Sequence, residues 1–114
     1  MKSFLKVMKA LSDPSRVKIM KMLQQKTMCV CEMQSALQIA QSTTSKHLQI
    51  LEDAGLIAYK KDGLWVNYMI ADGHESVYAA SMIGNLRHWL ENEPEIRLLM
   101  AKLPAIDRVN ICGK

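Results

Sequence analysis

Apolar residues recur at helical spacing from the start of the chain. Phe4, Leu5, Met8 and Leu11 share one side of a helix predicted over residues 3–11. SDPSR follows; Asp13 suits an N-cap and Pro14 a first helical position, where no amide hydrogen is needed. The second helix continues through VKIMKML, with Val17, Met20 and Leu23 as its stripe, and QQKTM reads as a polar link. A short helix over about 30–39 places Met33, Ala36 and Leu37 inward. AQST interrupts the pattern, and STTSKHLQILEDAG reads as a further helix stopped by Gly55. Two short helices joined by a tight turn predict a helix-turn-helix over about 30–55.

The pattern then changes period. LIAYKKDGLWVNYMI alternates, and Asp62-Gly63 reads as a two-residue hairpin turn. Folding there puts Ile57, Tyr59, Leu64, Val66 and Tyr68 on one face. Ala58, Lys60, Trp65, Asn67 and Met69 take the other, with Lys60 and Lys61 near the tip. A long helix is expected over 75–91, and Pro94 starts a short one over about 95–103. The tail PAIDRVNICGK carries Cys112. The expected fold is therefore mainly α with a β-hairpin: one winged helix-turn-helix domain over 1–114, its wing at about 57–70.

Size and charge refine this picture. A chain of 114 residues that is 49% hydrophobic builds one core. A domain this small still leaves apolar surface for a partner. The helices at 3–11 and 75–91, the latter with Val77, Ala80, Ile83 and Leu90, are the expected homodimer surface. Fifteen Lys and Arg against eleven Asp and Glu give a formal charge of +4, which suits a polyanion. No apolar run reaches the roughly 18 residues of a membrane span. Lys6 and Lys9 make the first stretch an amphipathic helix, not a signal peptide. A cytoplasmic protein with no membrane partner is expected, its three cysteines reduced.

On the second helix of the pair, Thr44, Leu48 and Leu51 share a core-facing side. Ser42, Thr43, Ser45, Lys46 and Gln49 remain for solvent or DNA, and Gln41 stands at the helix start. Such side chains suit base edges and phosphates, and a helix N-terminus favours a phosphate. His47, between core and outer face, reads as a packing or hydrogen-bonding residue, and Trp65 as core padding. A dimer would present two such helices to an inverted repeat in double-stranded DNA. No Ser-His-Asp set, phosphate-binding glycine loop or C-x-x-C in a βαβ context is present, so neither an enzyme nor an organic cofactor is expected. A helix-turn-helix used only for protein contact is the non-DNA alternative; it would lack a steep salt dependence on duplexes.

ALSDPSRVKIMKML, CVCEMQSAL, AQSTTSKHLQILEDAGLI and YKKDGLWVNYMI occur in that order over about 5–70. Together they resemble the ArsR family of winged-helix metalloregulators. The resemblance implies a homodimeric repressor, joined through its first and last long helices, that leaves its operator when an inducer binds. Gln41, Ser42, Ser45 and Lys46 match positions that contact DNA. Cys29 and Cys31 match the C-V-C of the arsenite- and antimonite-sensing branch. Many members of that branch carry a third cysteine where this chain has Gln34, and the family often has a basic residue where it has Leu64. Asp72 and His74 match half of a zinc-type pattern whose other half has become Asn85 and His88. Helix capping is the alternative for Asp72 and His74.

Two residues along a helix is about 200° of rotation. Cys29 and Cys31 can therefore share one ion only if Cys29 lies outside the helix or the first turn opens. Thiolates select soft ions such as arsenite or antimonite. Cys112, a hydroxide or an external thiol would supply a third donor. Oxidants or reactive sulfur acting on the cysteines, or a zinc- or cadmium-type signal, are the alternative inducers.

Overall fold

Asp13 sets where the first two helices part. The computed structural model describes residues 1–107 and has α1 at Lys2–Ala10 and α2 at Pro14–Gln25. Asp13 is extended, and its carboxylate accepts from the backbone N–H of Ser15 at 2.8 Å and of Arg16 at 3.2 Å. Burial nudges the Asp13 carboxyl up. The backbone N–H groups of Arg16 and Ser15, with the Arg16 guanidinium, outweigh that and hold it below the ordinary value. A depressed carboxylate stabilises the fold fully above its unfolded pKa of about 3.9 and loses that contribution as pH falls through the lower folded value. Asp13→Ala is expected to cost about 1 kcal/mol at pH 7. Asp13→Asn should keep most of the cap and lose only its pH dependence. Thermal melts of the three proteins at pH 7 and pH 3 check this, and the wild-type advantage over Asp13→Ala should shrink at pH 3.

α2 runs through the middle of the molecule. Ile19, Met20, Lys21, Met22 and Leu23 are all buried, while Val17 is half-buried, so the expected three-residue stripe was too narrow for a helix wrapped on all sides. Val7 and Ala10 of α1 join this core with Met28, Met33, Leu48, Leu51 and Leu56. The expected inner face of α1 is rotated: Met8 and Leu11 pack on the core edge, but Phe4 and Leu5 stay exposed. Phe4 instead meets Tyr78 edge-on, ring centroids 5.4 Å apart.

The polar link holds an unexpected strand. β1 (Met28–Cys29), β2 (Ile57–Asp62) and β3 (Trp65–Ile70) form an antiparallel sheet in the order β1-β3-β2. Two residues are too short for periodicity to reveal; only pairing with β3 defines β1. Met28 sits opposite Tyr68 and Cys29 opposite Asn67. The hairpin turn is Gly63-Leu64 rather than Asp62-Gly63, because Asp62 pairs with Trp65. Gly63 takes φ +61°, as a turn with glycine first requires. This register differs from the expected one by two residues, so every strand side chain keeps its expected face. Leu64 alone leaves its face and becomes the tip, 99% exposed.

The helix-turn-helix is α3 (Val30–Leu37) and α4 (Gln41–Asp53). α3 stops two residues early because Gln38 turns left-handed, φ 57°. Gly55, φ +80°, closes α4 as expected. α5 covers Val77–Leu86, not 75–91, and α6 covers Pro94–Lys102, followed by a 3-10 turn at Leu103–Ala105. Gly84 and Asn85 weaken the end of α5. There the buried Lys21 ammonium donates to the carbonyls of Leu86 at 2.6 Å and Trp89 at 3.0 Å. Ile83, expected on the dimer surface, is core, whereas Val77, Ala80 and Leu90 are exposed. Among the described residues no helix is long and apolar enough to cross a membrane.

Candidate nucleic-acid interface and thiol site

α4 divides as its sequence pattern requires. Thr44, Leu48 and Leu51 are buried, and Gln41, Ser42, Thr43, Ser45, Lys46 and Gln49 are exposed. Thr44 Oγ1 donates to Ala40 O at 3.0 Å, so its hydroxyl is satisfied inside. The N-cap is Ala40, which has no side-chain acceptor to offer. The first amides of α4 therefore keep their donor capacity for an outside anion. Gln49 donates to Asp53 Oδ1 at 3.0 Å, which lays its side chain along the helix. His47 makes the expected hydrogen bond, through Nδ1 to Arg16 Nη1 at 3.1 Å. Lys60 and Lys61 are both exposed on the wing, but as successive strand residues they face opposite sides.

Two cysteines sit at the head of α3. Cys29 is the N-cap, in extended backbone with φ −93° and ψ 169°, and therefore lies outside the helix. This meets the first of the two geometric conditions for a shared ion. Its sulfur faces the backbone N–H groups of Glu32 and Cys31, and Glu32 Oε1 accepts from the Cys29 N–H at 2.9 Å. The two residues cap each other reciprocally. Glu32 is 8% exposed, a buried carboxylate spent on this cap. Sequence reasoning passed over it, although a Glu three residues after an N-cap is the signal. Burial pushes the Cys29 thiol up; the backbone N–H of Glu32 pulls down, and the Glu32 carboxylate adds to the rise. Residue 29 is thus a buried, free cysteine whose thiol is harder to ionise than usual. Cys31 is half-buried at the second position of α3, and it is disulfide-bonded rather than reduced as expected, so an ion could use its sulfur only after reduction.

Cys112 lies outside the described residues. Among those described, no three His, Cys, Asp or Glu side chains gather as a metal site. Asp72 hydrogen-bonds both the ring and the backbone N–H of His74. The pair does not cap α5, because Ser76 Oγ does so, accepting from Ala79 N–H at 3.2 Å.

A family model described as bacterial regulatory protein, arsR family, matches residues 13–59, from the Asp13 cap into β2. A helix-turn-helix-type transcriptional regulator of Methanocaldococcus jannaschii is 42% identical over 67 residues, covering 58% of this chain and 75% of that protein. The chain belongs to the ArsR family. This ArsR-family chain is also 29% identical over 114 residues to the arsenical resistance operon repressor of Escherichia coli, covering 96% of one and 95% of the other. It is 38% identical over 65 residues to a transcriptional repressor SmtB homolog of Synechocystis, 57% of this chain, and spans 49% of that relative's length. Among solved structures, HlyU of Vibrio cholerae superposes with a TM-score of 0.65 at 28% identity, covering 78% of this chain and 92% of that one. The homodimeric winged helix-turn-helix DNA-binding domain of a Mycobacterium bovis protein gives 0.63 at 26% identity, over 82% and 86%. The ArsR-family chain is a winged helix-turn-helix transcriptional regulator and not an enzyme.

Proposed function

We propose that this ArsR-family regulator is a homodimeric repressor that releases its operator when arsenite or antimonite binds Cys29 and Cys31. The observation that carries the reading is the position of Cys29. It stands outside α3 on extended backbone, next to a second cysteine in the first turn of the helix-turn-helix. The match to arsenical resistance repressors supports the choice of ion. A soft trivalent ion draws on the sulfur that now faces the α3 amides. The reciprocal cap with Glu32 is then lost, at a cost of about 1 kcal/mol to the start of α3. α4 packs on α3, so the DNA-reading face loses its bound geometry. Coupling of this kind amounts to roughly 1–3 kcal/mol, a 5- to 150-fold change in operator affinity. A third donor comes from Cys112, a hydroxide or an external thiol.

Phe4, Leu5, Val77 and Tyr78 form the exposed apolar surface of α1 and α5 and supply the dimer contact. Two α4 helices then address an inverted repeat. Fluorescence anisotropy of a duplex from the chain's own promoter tests the reading. Arsenite or antimonite under reducing conditions should lower the signal, while zinc, cadmium and oxidants should not. Release by oxidants or persulfides instead would replace the metalloid with a redox signal. Lys46→Ala is expected to weaken binding on all duplexes alike and to lower the slope of log K against log salt by about one. An unchanged slope would remove Lys46 from the phosphate contacts.

A further inference from the structure

Arg16 belongs to the D-P-x-R turn, and the reading above gives it no task. All of its nitrogens are engaged. Nε donates to Ala10 O at 2.7 Å and Nη2 to Lys9 O at 3.3 Å, which ties down the end of α1. Nη1 meets His47 Nδ1 at 3.1 Å. A guanidinium has donors and no acceptor, so Nδ1 must accept. The imidazole in this contact is therefore neutral and carries its proton on Nε2. Among the described residues Nε2 has no hydrogen-bond partner. His47 is half-buried and lines an open groove with Arg16, Ser42, Thr43, Lys46 and Ile50. That groove offers two hydroxyls, an ammonium and an imidazole N–H, and no carboxylate lines it. Asp13, the nearby carboxylate, is occupied by the amides of Ser15 and Arg16.

We propose that this groove seats one backbone phosphate of the operator. His47 Nε2–H donates to a phosphate oxygen, and Arg16 is the positioning residue that fixes the tautomer. A phosphate oxygen only accepts hydrogen bonds, which matches a lining rich in donors; base edges present both kinds of group. The contact lies on the flank of α4 that faces α2, beside the outer face assigned to base edges. It rests on the reading of α4 as the DNA-contacting helix.

Three measurements test it on the full chain. His47→Phe keeps a ring and loses the donor, so affinity should fall about tenfold, the usual scale for a hydrogen bond to a charged group. The fall should be equal on operator and non-specific duplexes, with an unchanged salt slope, since a neutral donor displaces no counterion. His47→Gln can accept from Arg16 and donate onward, and should recover most of the loss. On duplexes carrying single methylphosphonates, one position should exist at which His47→Phe costs nothing further. If His47→Phe does not fold, long-range 15N–1H NMR of the wild type decides instead. The Nε2–H tautomer should be present, and its resonance should move when operator is added. A Nδ1–H tautomer, a wild-type affinity for folded His47→Phe, or a loss equal at every methylphosphonate position would overturn the proposal. Should Lys46→Ala flatten the salt slope while His47→Phe changes nothing, only this contact falls. If the wild type binds duplexes without salt dependence, the reading of α4 falls with it.

Discussion

Cys29→Ser is expected to bind operator as the wild type does and to keep it when arsenite is added. The substitution is close to isosteric at a site that is 3% exposed. A serine hydroxyl is a good N-cap acceptor, so the first amides of α3 remain satisfied and Glu32 can still take the residue 29 N–H. What disappears is the soft donor. The ratio of operator affinities without and with arsenite, about 5 to 150 in the wild type, should fall to one. Linkage adds a second readout: operator-bound wild type must bind arsenite more weakly by the same factor. Cys29→Val would confuse the issue, since it removes cap and sulfur together. If Cys29→Ser still releases DNA at the wild-type arsenite concentration, the signal is received elsewhere.

Lys21→Ala should cost more stability than the removal of any exposed charge. Lys21 is 2% exposed, and its ammonium holds the carbonyls of Leu86, the last residue of α5, and of Trp89 beyond it. Deleting it leaves the buried Leu86 oxygen without this donor and a void among the apolar residues of α2. A charged hydrogen-bond donor at a helix C-terminus is worth more than a neutral one. The expected cost is about 2–3 kcal/mol, or roughly 10–20 °C in Tm for a domain of this size. Glu91, 3.5 Å from the same nitrogen, is half-exposed. Glu91→Gln should therefore cost under about 1 kcal/mol. Melts at one fixed protein concentration compare the two, because dimerisation makes Tm concentration-dependent. Equal losses for both variants would mean that the ion pair, not the helix end, is what Lys21 serves.

Elements with long periodic patterns or strong stop signals were legible before any coordinates. Asp13-Pro14 placed the start of α2, and the spacing of Thr44, Leu48 and Leu51 fixed which side of α4 faces inward. Features made by distant partners were not. β1 exists because β3 pairs with it, and α5 ends where a lysine from α2, 65 residues earlier, takes its carbonyl. No local pattern encodes either event. The hairpin turn was misplaced by one residue because Asp-Gly and Gly-Leu overlap on the same glycine, and only cross-strand pairing chooses between them. For the cysteines, spacing posed a geometric condition, and the extended backbone of Cys29 is one of the two arrangements it allows. The buried Glu32 behind it was visible as a capping pattern but masked by the two cysteines.

Residue 29 also ends β1 opposite Asn67 and begins α3, with no loop between strand and helix. A linker of several residues would absorb a local displacement in its soft backbone dihedrals. Here there is no such slack. Any displacement of residue 29 reaches the wing through β3 and the helix pair through α3 in the same motion, as two gears on one axle turn together. If the wing and α4 both grip DNA, a repressor wired this way is expected to release them together. Its dissociation after a signal at that sulfur would follow a single exponential.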